Sequence, residues 1–240
     1  MAGGTVGVAP GTTTITMDNG QTIQISDWID DKLYSTVQFN NGQNGPVEAF
    51  SAGRSQQIPG GTRTSTRVDT NVPRSGSNGL PKDWEMYVYG VGCKMVRVMR
   101  PAAGNPSPQL ADGPPGPLGA LSDPPQLVTL FQVDRVTFLE YNYNGKVYTS
   151  GVIQDYPQGH GYSVFSTNSN FELAQNGVPS PRDRNALVLP IWMRENLGFT
   201  FSFQPEAPMQ INQLASDGNG NLQYADEKVY FYGLLRRSVV

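Results

Sequence analysis

The usual equipment of catalysis is scarce in this chain, whose 240 residues include one histidine, His160, and one cysteine, Cys93. Any Ser-His-Asp or Cys-His nucleophile, or any multi-histidine metal centre, has to be built on His160 or is absent. That residue sits in Gln158-Gly159-His160-Gly161-Tyr162, a turn-like stretch in which an exposed loop histidine is the expectation. One thiol excludes an internal disulfide framework and cysteine-based zinc or iron–sulfur sites. Within an apolar run, Cys93 reads as a small core residue. Charge is thin too: 15 % of residues are charged, and 17 basic against 20 acidic side chains leave a net −3. Specific nucleic-acid recognition by the molecule as a whole is therefore not expected. Long apolar runs are also lacking, since no segment approaches the ~18 residues that span a bilayer. Met1-Ala2-Gly3-Gly4-Thr5 has neither the basic start nor the apolar stretch of a secretory signal, so the expectation is a soluble chain not exported by that route.

Motifs that carry chemistry are equally sparse. No Gly-x-Ser-x-Gly elbow, His-Glu-x-x-His, Walker loop or dinucleotide fingerprint occurs, and Gly90-Val91-Gly92 lacks a third glycine at the right place. Asp83 with Glu85, or Asp134 with Glu140, can be nominated as carboxylate pairs for glycoside hydrolysis, but acids at strand ends look the same in any β protein. Asp217, Asn219 and Asn221 begin like a calcium loop; Leu222 at position six and Lys228 at position twelve break the pattern, so a Gly-rich hairpin turn is expected there. No catalytic residue, metal ligand or cofactor is assigned, and the chain reads as a non-enzyme.

What the sequence has is turns, small polar residues and β-prone runs. Gly and Pro, 27 and 19 residues, punctuate the chain. Residues 1–14 are too small and flexible to bury a core and read as an N-terminal arm. Residues 12–17 and 21–25 are β-prone and joined through Asp18-Asn19-Gly20, a hairpin signal. The stretch 26–33 is the one fair helix, capped by Ser26 or Asp27, with Trp28, Ile29 and Leu33 on one side. From 84 to 99 both faces are fairly apolar, as in a central sandwich strand bent at Gly90 or Gly92. Residues 127–141, a Tyr143-Asn144-Gly145-Lys146 turn and 147–153 predict a second hairpin. Residues 186–193, 197–204, 210–214 and 228–239 predict further strands, with Phe199, Phe201 and Phe203 alternating against Thr200 and Ser202. Roughly eight to ten strands without strand–helix alternation indicate an all-β, antiparallel β-sandwich.

Two excursions interrupt it. Residues 40–82 are polar and Gly-rich, with almost no large apolar side chain, and 101–125 are so rich in Pro, Gly and Ala that neither helix nor ladder is expected to persist. The first excursion holds Arg54, Arg63, Arg67 and Arg74, which are either planar bidentate donors at an interface, to carboxylates of a neighbouring subunit or to phosphates, or simply solvated loop side chains. A loop this long and this poor in apolar anchors is expected to be ordered by a partner. The tyrosines Tyr141, Tyr143, Tyr148, Tyr156 and Tyr162 are either a sugar-binding platform or the filling of a sheet face.

Leu189-Pro190-Ile191-Trp192-Met193, Asn196-Leu197-Gly198-Phe199-Thr200-Phe201-Ser202-Phe203 and Val229-Tyr230-Phe231-Tyr232-Gly233-Leu234-Leu235-Arg236 resemble the closing strands of viral jelly-roll capsid proteins. Leu80-Pro81-Lys82-Asp83-Trp84-Glu85-Met86-Tyr87-Val88-Tyr89-Gly90 resembles the strand entered from a long arm in capsid proteins of tailless, icosahedral, membrane-containing bacterial viruses. The resemblance covers about half the chain and lies in the style of the sequence. It implies a single jelly roll over 26–240 with an arm and hairpin at 1–25. It also implies a structural, self-assembling subunit of the icosahedral virion shell, the major capsid protein or a minor vertex protein, made in the host cytoplasm. The implied partners are other copies of itself in trimers or other capsomers, other capsid proteins and an internal lipid membrane. The alternative is a carbohydrate- or receptor-binding β-sandwich module of the spike or lectin-like kind.

Overall fold

The computed structural model describes residues 14–16, 20, 22–24, 28–73, 79–102, 105–110, 133–156, 163–167, 171–175, 185–195, 197–209 and 224–237. The regular elements among the described residues are nearly all strands: β1 (Thr14–Thr16), β2 (Thr22–Gln24), β3 (Ile29–Asn40), β4 (Val47–Ala49), β5 (Glu85–Ala102), β6 (Asn105–Leu110), β7 (Thr137–Tyr143), β8 (Lys146–Val152), β9 (Ser163–Thr167), β10 (Phe171–Gln175), β11 (Asn185–Met193), β12 (Phe199–Pro205) and β13 (Tyr224–Arg236). A short helical turn at 133–136 precedes β7, and a 3₁₀ turn, Ile153–Asp155, follows β8.

Two antiparallel sheets face each other. One runs β11-β5-β13-β3 with β6 also paired to β5; the other runs β4-β12-β7-β8. Alternation explains their inner faces. Phe199, Phe201 and Phe203 of β12 and Leu139, Tyr141 and Tyr143 of β7 point inward, meeting Leu33, Val37 and Phe39 of β3 and Val229 and Phe231 of β13. Aromatic rings knit the layers: Phe231 stacks on Phe50 at 5.0 Å and lies 4.9 Å from Tyr141, while Phe39 meets Phe203 edge-on at 5.9 Å. The all-β, antiparallel sandwich expected from the sequence is the architecture observed. Cys93 is buried in its core.

Local turn chemistry is legible at both hairpins. Asn144 and Gly145 take φ of 50° and 78°, joining β7 to β8 as an Asn-Gly pair does in a two-residue turn. β1 pairs with β2 across the 17–21 segment, in which Gly20 has φ 81°. Strand β5 is central, as expected, and carries a bulge beside Gly90 where Gly90 pairs with Tyr232 but Val88 with Gly233.

Three expectations are corrected. The segment 26–33 is not a helix over its described part: Ile29 onward is strand β3, paired residue for residue with β13 from Ile29↔Leu235 to Asn40↔Tyr224. Trp28 packs with Tyr87 in a small outer cluster while Leu33 enters the main core, so the two do not share one side. Twelve paired positions outweigh a weak local helix preference. The described part of the stretch 127–141 is a helical turn at 133–136 and becomes strand at Thr137. In the second excursion a ladder does form, because β6 returns along β5 from Met99↔Leu110 to Ala102↔Asn105. Pro is tolerated there because β6 is an edge strand with one partner. Residues 1–13, 111–125 and 210–223, with the arm, the rest of that excursion, the strand expected at 210–214 and the Asp217–Asn221 turn, lie outside the described residues.

Candidate functional site

The first excursion folds back over the outer face of the five-stranded sheet, where the most elaborate polar cluster among the described residues lies. Its apolar anchors are Phe50, Ile58, Val72 and Leu80, all buried, and β4 within it pairs with β12. Its own hydrogen bonds sew it down: Arg54 N donates to Val72 O at 3.0 Å, Ile58 N to Arg63 O at 3.0 Å and Ser65 N to Gln56 O at 2.8 Å. Over its described residues the protomer itself supplies these bonds and anchors. Its anchors are spaced without a period, which is why the sequence reads as a polar loop.

Beneath it, Arg63 forks onto Asp69, with Nη1 to Oδ2 at 2.8 Å and Nη2 to Oδ1 at 2.7 Å, and also reaches Asp226 Oδ2 of β13 at 2.5 Å. Gln38 Nε2 of β3 donates to Asp226 Oδ1 at 3.1 Å, and Thr66 donates to Asp69 through both N and Oγ1. Lys228 Nζ donates to Val68 O and lies 5.2 Å from the Tyr34 ring centroid. Period-two alternation turns Asp226 and Lys228 outward, opposite Gln38 and Thr36, while Ala225 and Val229 face the core. Burial alone would raise the Asp69 carboxyl; the hydrogen bonds from Arg63 and Thr66 overcome it and hold it at about 2. For Arg63, burial opposes the charge, and the two aspartates more than reverse that, raising it above its ordinary value. Side-chain exposures of 23 % for Arg63, 3 % for Asp69 and 0 % for Asp226 leave little room for an outside carboxylate or phosphate. The cluster fastens the segment 50–73 to β3 and β13.

The four loop arginines thus separate. Arg63 is engaged inside the protomer by Asp69 and Asp226. Arg54 is half-buried with its charge near the Tyr34 hydroxyl. Arg67 is exposed, its carbonyl accepting from Tyr34 Oη at 2.6 Å. Arg74 lies outside the described residues, as do His160 and Tyr162.

The nominated acid pairs do not converge. Glu85 faces Arg236 at 3.8 Å, whereas Asp83 sits in an exposed turn with φ 65°, its N–H donating to Glu195. Asp134 is buried, while Glu140 alternates to the outer side of β7. The carboxylate that does share the core with Asp134 is Glu227, fully buried on the inner face of β13. Its position is readable in the sequence from the alternation Ala225, Glu227, Val229, Phe231, a signal easily overlooked because an acid interrupts it. Of the tyrosines, Tyr141, Tyr143 and Tyr156 are buried, and Tyr148 is 40 % exposed. Tyr156 Oη pairs with Thr149 Oγ1 at 2.6 Å, and Tyr143 Oη accepts from Arg194 N at 3.1 Å. These rings fill the four-stranded sheet and its rim. Among the described residues no group of three or more His, Cys, Asp or Glu is arranged to hold a metal ion. No protein-family model, no curated protein and no solved structure matches this chain.

Proposed function

We propose that the sandwich is a single jelly roll and that the chain is a structural subunit of a virion shell, assembling with copies of itself. The observation that carries this is strand order. Taking β3, β4, β5, β7, β8, β11, β12 and β13 as strands one to eight, the sheets run 6-3-8-1 and 2-7-4-5. Strand one therefore pairs with eight, two with seven, three with six and four with five, all antiparallel. That is the pairing obtained by rolling up one long hairpin of two four-strand arms, the jelly-roll plan found in capsid and lectin domains. The fold alone does not choose between those uses. The sequence resemblance to capsid proteins of tailless, membrane-containing bacterial viruses favours the shell. So does the fate of the tyrosines, most of which are spent on packing, which weakens the alternative of a carbohydrate- or receptor-binding module.

In a shell the partners are identical copies in trimers or other capsomers, other capsid proteins and an internal membrane, and the place of action is the virion. Size-exclusion chromatography with light scattering on the purified chain, followed by negative-stain microscopy, tests it. Discrete capsomers or closed shells are expected. A strict monomer at high concentration that binds immobilised glycans would replace the shell with the binding module.

A further inference from the structure

Glu227 sits on the inner face of β13, opposite Val37 of β3 and two residues before Val229. It is 0 % exposed, and neither carboxylate oxygen has a hydrogen-bond donor. Among the described residues, the titratable groups that share the interior with it are Asp134 from the helical turn and Cys93 from β5, while Tyr230 of its own strand feels its charge from the outer face. Lys94 of β5, which pairs with the outward-facing Lys228, is the cation whose field reaches it from the far side of the sheet. Thr137 Oγ1, at the start of β7, is likewise 0 % exposed and without a partner. An ionised carboxylate with no donor in an apolar interior is far more costly than the neutral acid, and a second carboxylate of the same sign adds to that cost.

We propose that Glu227 and Asp134 form a proton-holding switch inside the sandwich. Glu227 is carried as the neutral acid, and releasing its proton to solvent in alkali loosens the end where β13 faces the 133–136 turn. That end is closed by Val133 and Met209, both buried, and by the Glu206 N to Val136 O hydrogen bond at 2.8 Å. Burial, reinforced by the Asp134 charge and partly countered by Lys94, raises the Glu227 carboxyl well above its usual 4.5. The folded chain therefore keeps a proton that the unfolded chain gives up. With respect to this group, stability is complete below about 4.5 and is lost as pH rises toward the folded value. The inference is independent of the shell function.

Thermal melting of the full chain from pH 5 to 9, with hydrogen exchange by mass spectrometry corrected for intrinsic rates, tests the switch. The native chain is expected to lose several degrees between pH 6 and 9 and to exchange faster over 133–143 and 224–231. Glu227→Gln, which keeps the shape and cannot ionise, is expected to melt higher at pH 9 and to show a flat profile. Asp134→Asn, which removes the like charge, is expected to keep a smaller drop. A Glu227→Gln profile parallel to the native one overturns the switch, and if that variant does not fold, an unchanged profile in Asp134→Asn does the same. Stabilisation of the native chain by millimolar calcium, reversed by chelator and lost in Asp134→Asn, also overturns it, since the carboxylates would then hold a cation.

Discussion

Asn71 stands in for a strand against Tyr34. Its Oδ1 accepts Tyr34 N at 2.8 Å, its own N donates to Tyr34 O at 3.3 Å, and its Nδ2 donates to Lys32 O at 2.6 Å. Strand β3 is an edge of the five-stranded sheet, and a bare edge is a template for unwanted pairing. One amide side chain, with Gln38 N bonded to Pro59 O at 2.9 Å further along, closes it. Asn71→Ala is expected to cost about 1–2 kcal/mol for the two side-chain bonds lost. Asn71→Asp, which keeps the acceptor and loses the donor, should fall between. Chemical denaturation measures the cost, and light scattering at mild heat should show the Ala variant aggregating first.

The clamp beneath the first excursion separates two arginines that look alike in sequence. Arg63→Gln leaves Asp226 buried beside Asp69 without its cation, and breaking such a pair costs about 3–5 kcal/mol. Arg67→Gln, at an exposed position, should stay within about 0.5 kcal/mol of the native chain. Because Asp69 is held at about 2 against an ordinary 3.8, its contribution is complete above 3.8 and is lost as pH falls toward 2. Acid titration of stability should therefore be steeper below pH 4 in the native chain than in Asp69→Asn. Equal melting temperatures for the Arg63→Gln and Arg67→Gln variants would contradict the clamp.

How much of this was legible in the sequence depended on whether a signal was local. Alternation at Phe199, Phe201 and Phe203 fixes a strand face within five residues, and Asn144-Gly145 fixes a turn within two, so both are plain. The 26–33 stretch misleads because its caps and spacing are local helix signals, while the strand is imposed by β13, some two hundred residues away. The first excursion misleads for the opposite reason. Phe50, Ile58, Val72 and Leu80 each anchor it singly, at spacings matching neither helix nor strand, so its burial has no periodic signature. The clamp itself joins Arg63 to Asp226, a pairing that strand register alone reveals.

Close approach constrains Gly233, as it does Gly60, where an added Cβ would lie 2.2 Å from Gln38 O. A Cβ on Gly233 would lie 2.2 Å from Tyr87 O and 3.1 Å from Val88 Cα, backbone atoms that cannot swing aside, at the bulge between β13 and β5. Gly233→Ala is expected to destabilise by about 1–3 kcal/mol, lowering the melting temperature by several degrees. Gly145→Ala offers a contrast, since nothing lies within 4 Å there and only the positive φ of 78° opposes it. Its loss should be about 1 kcal/mol. Calorimetry on both variants ranks them, and a Gly233 variant no worse than the Gly145 one would show that the strands spread at little cost.

Among the described residues, strand β11 carries a surface suited to the proposed self-assembly. Ala186 pairs with Gly90 and Ile191 with Val88, so four residues, Leu187 to Pro190, stand opposite Tyr89 alone; Leu187 packs against the core, and Val188 and Leu189 turn outward. Val188 and Leu189 are left 96 % and 78 % exposed on an edge of the five-stranded sheet. Singly exposed apolar residues are ordinary, but two adjacent ones on a rigid bulge form a knob whose burial against another copy would contribute about 1.5–3 kcal/mol for each side chain. Replacing both with Ser removes that gain and touches nothing in the folded protomer, so the melting temperature should move by no more than about 1–2 °C. If β11 lies between copies, the weight-average mass of the variant should drop toward that of a protomer at concentrations where the native chain stays associated. A variant that assembles as the native chain does would move the interface elsewhere, and one that melts much lower would show the bulge to be part of the fold.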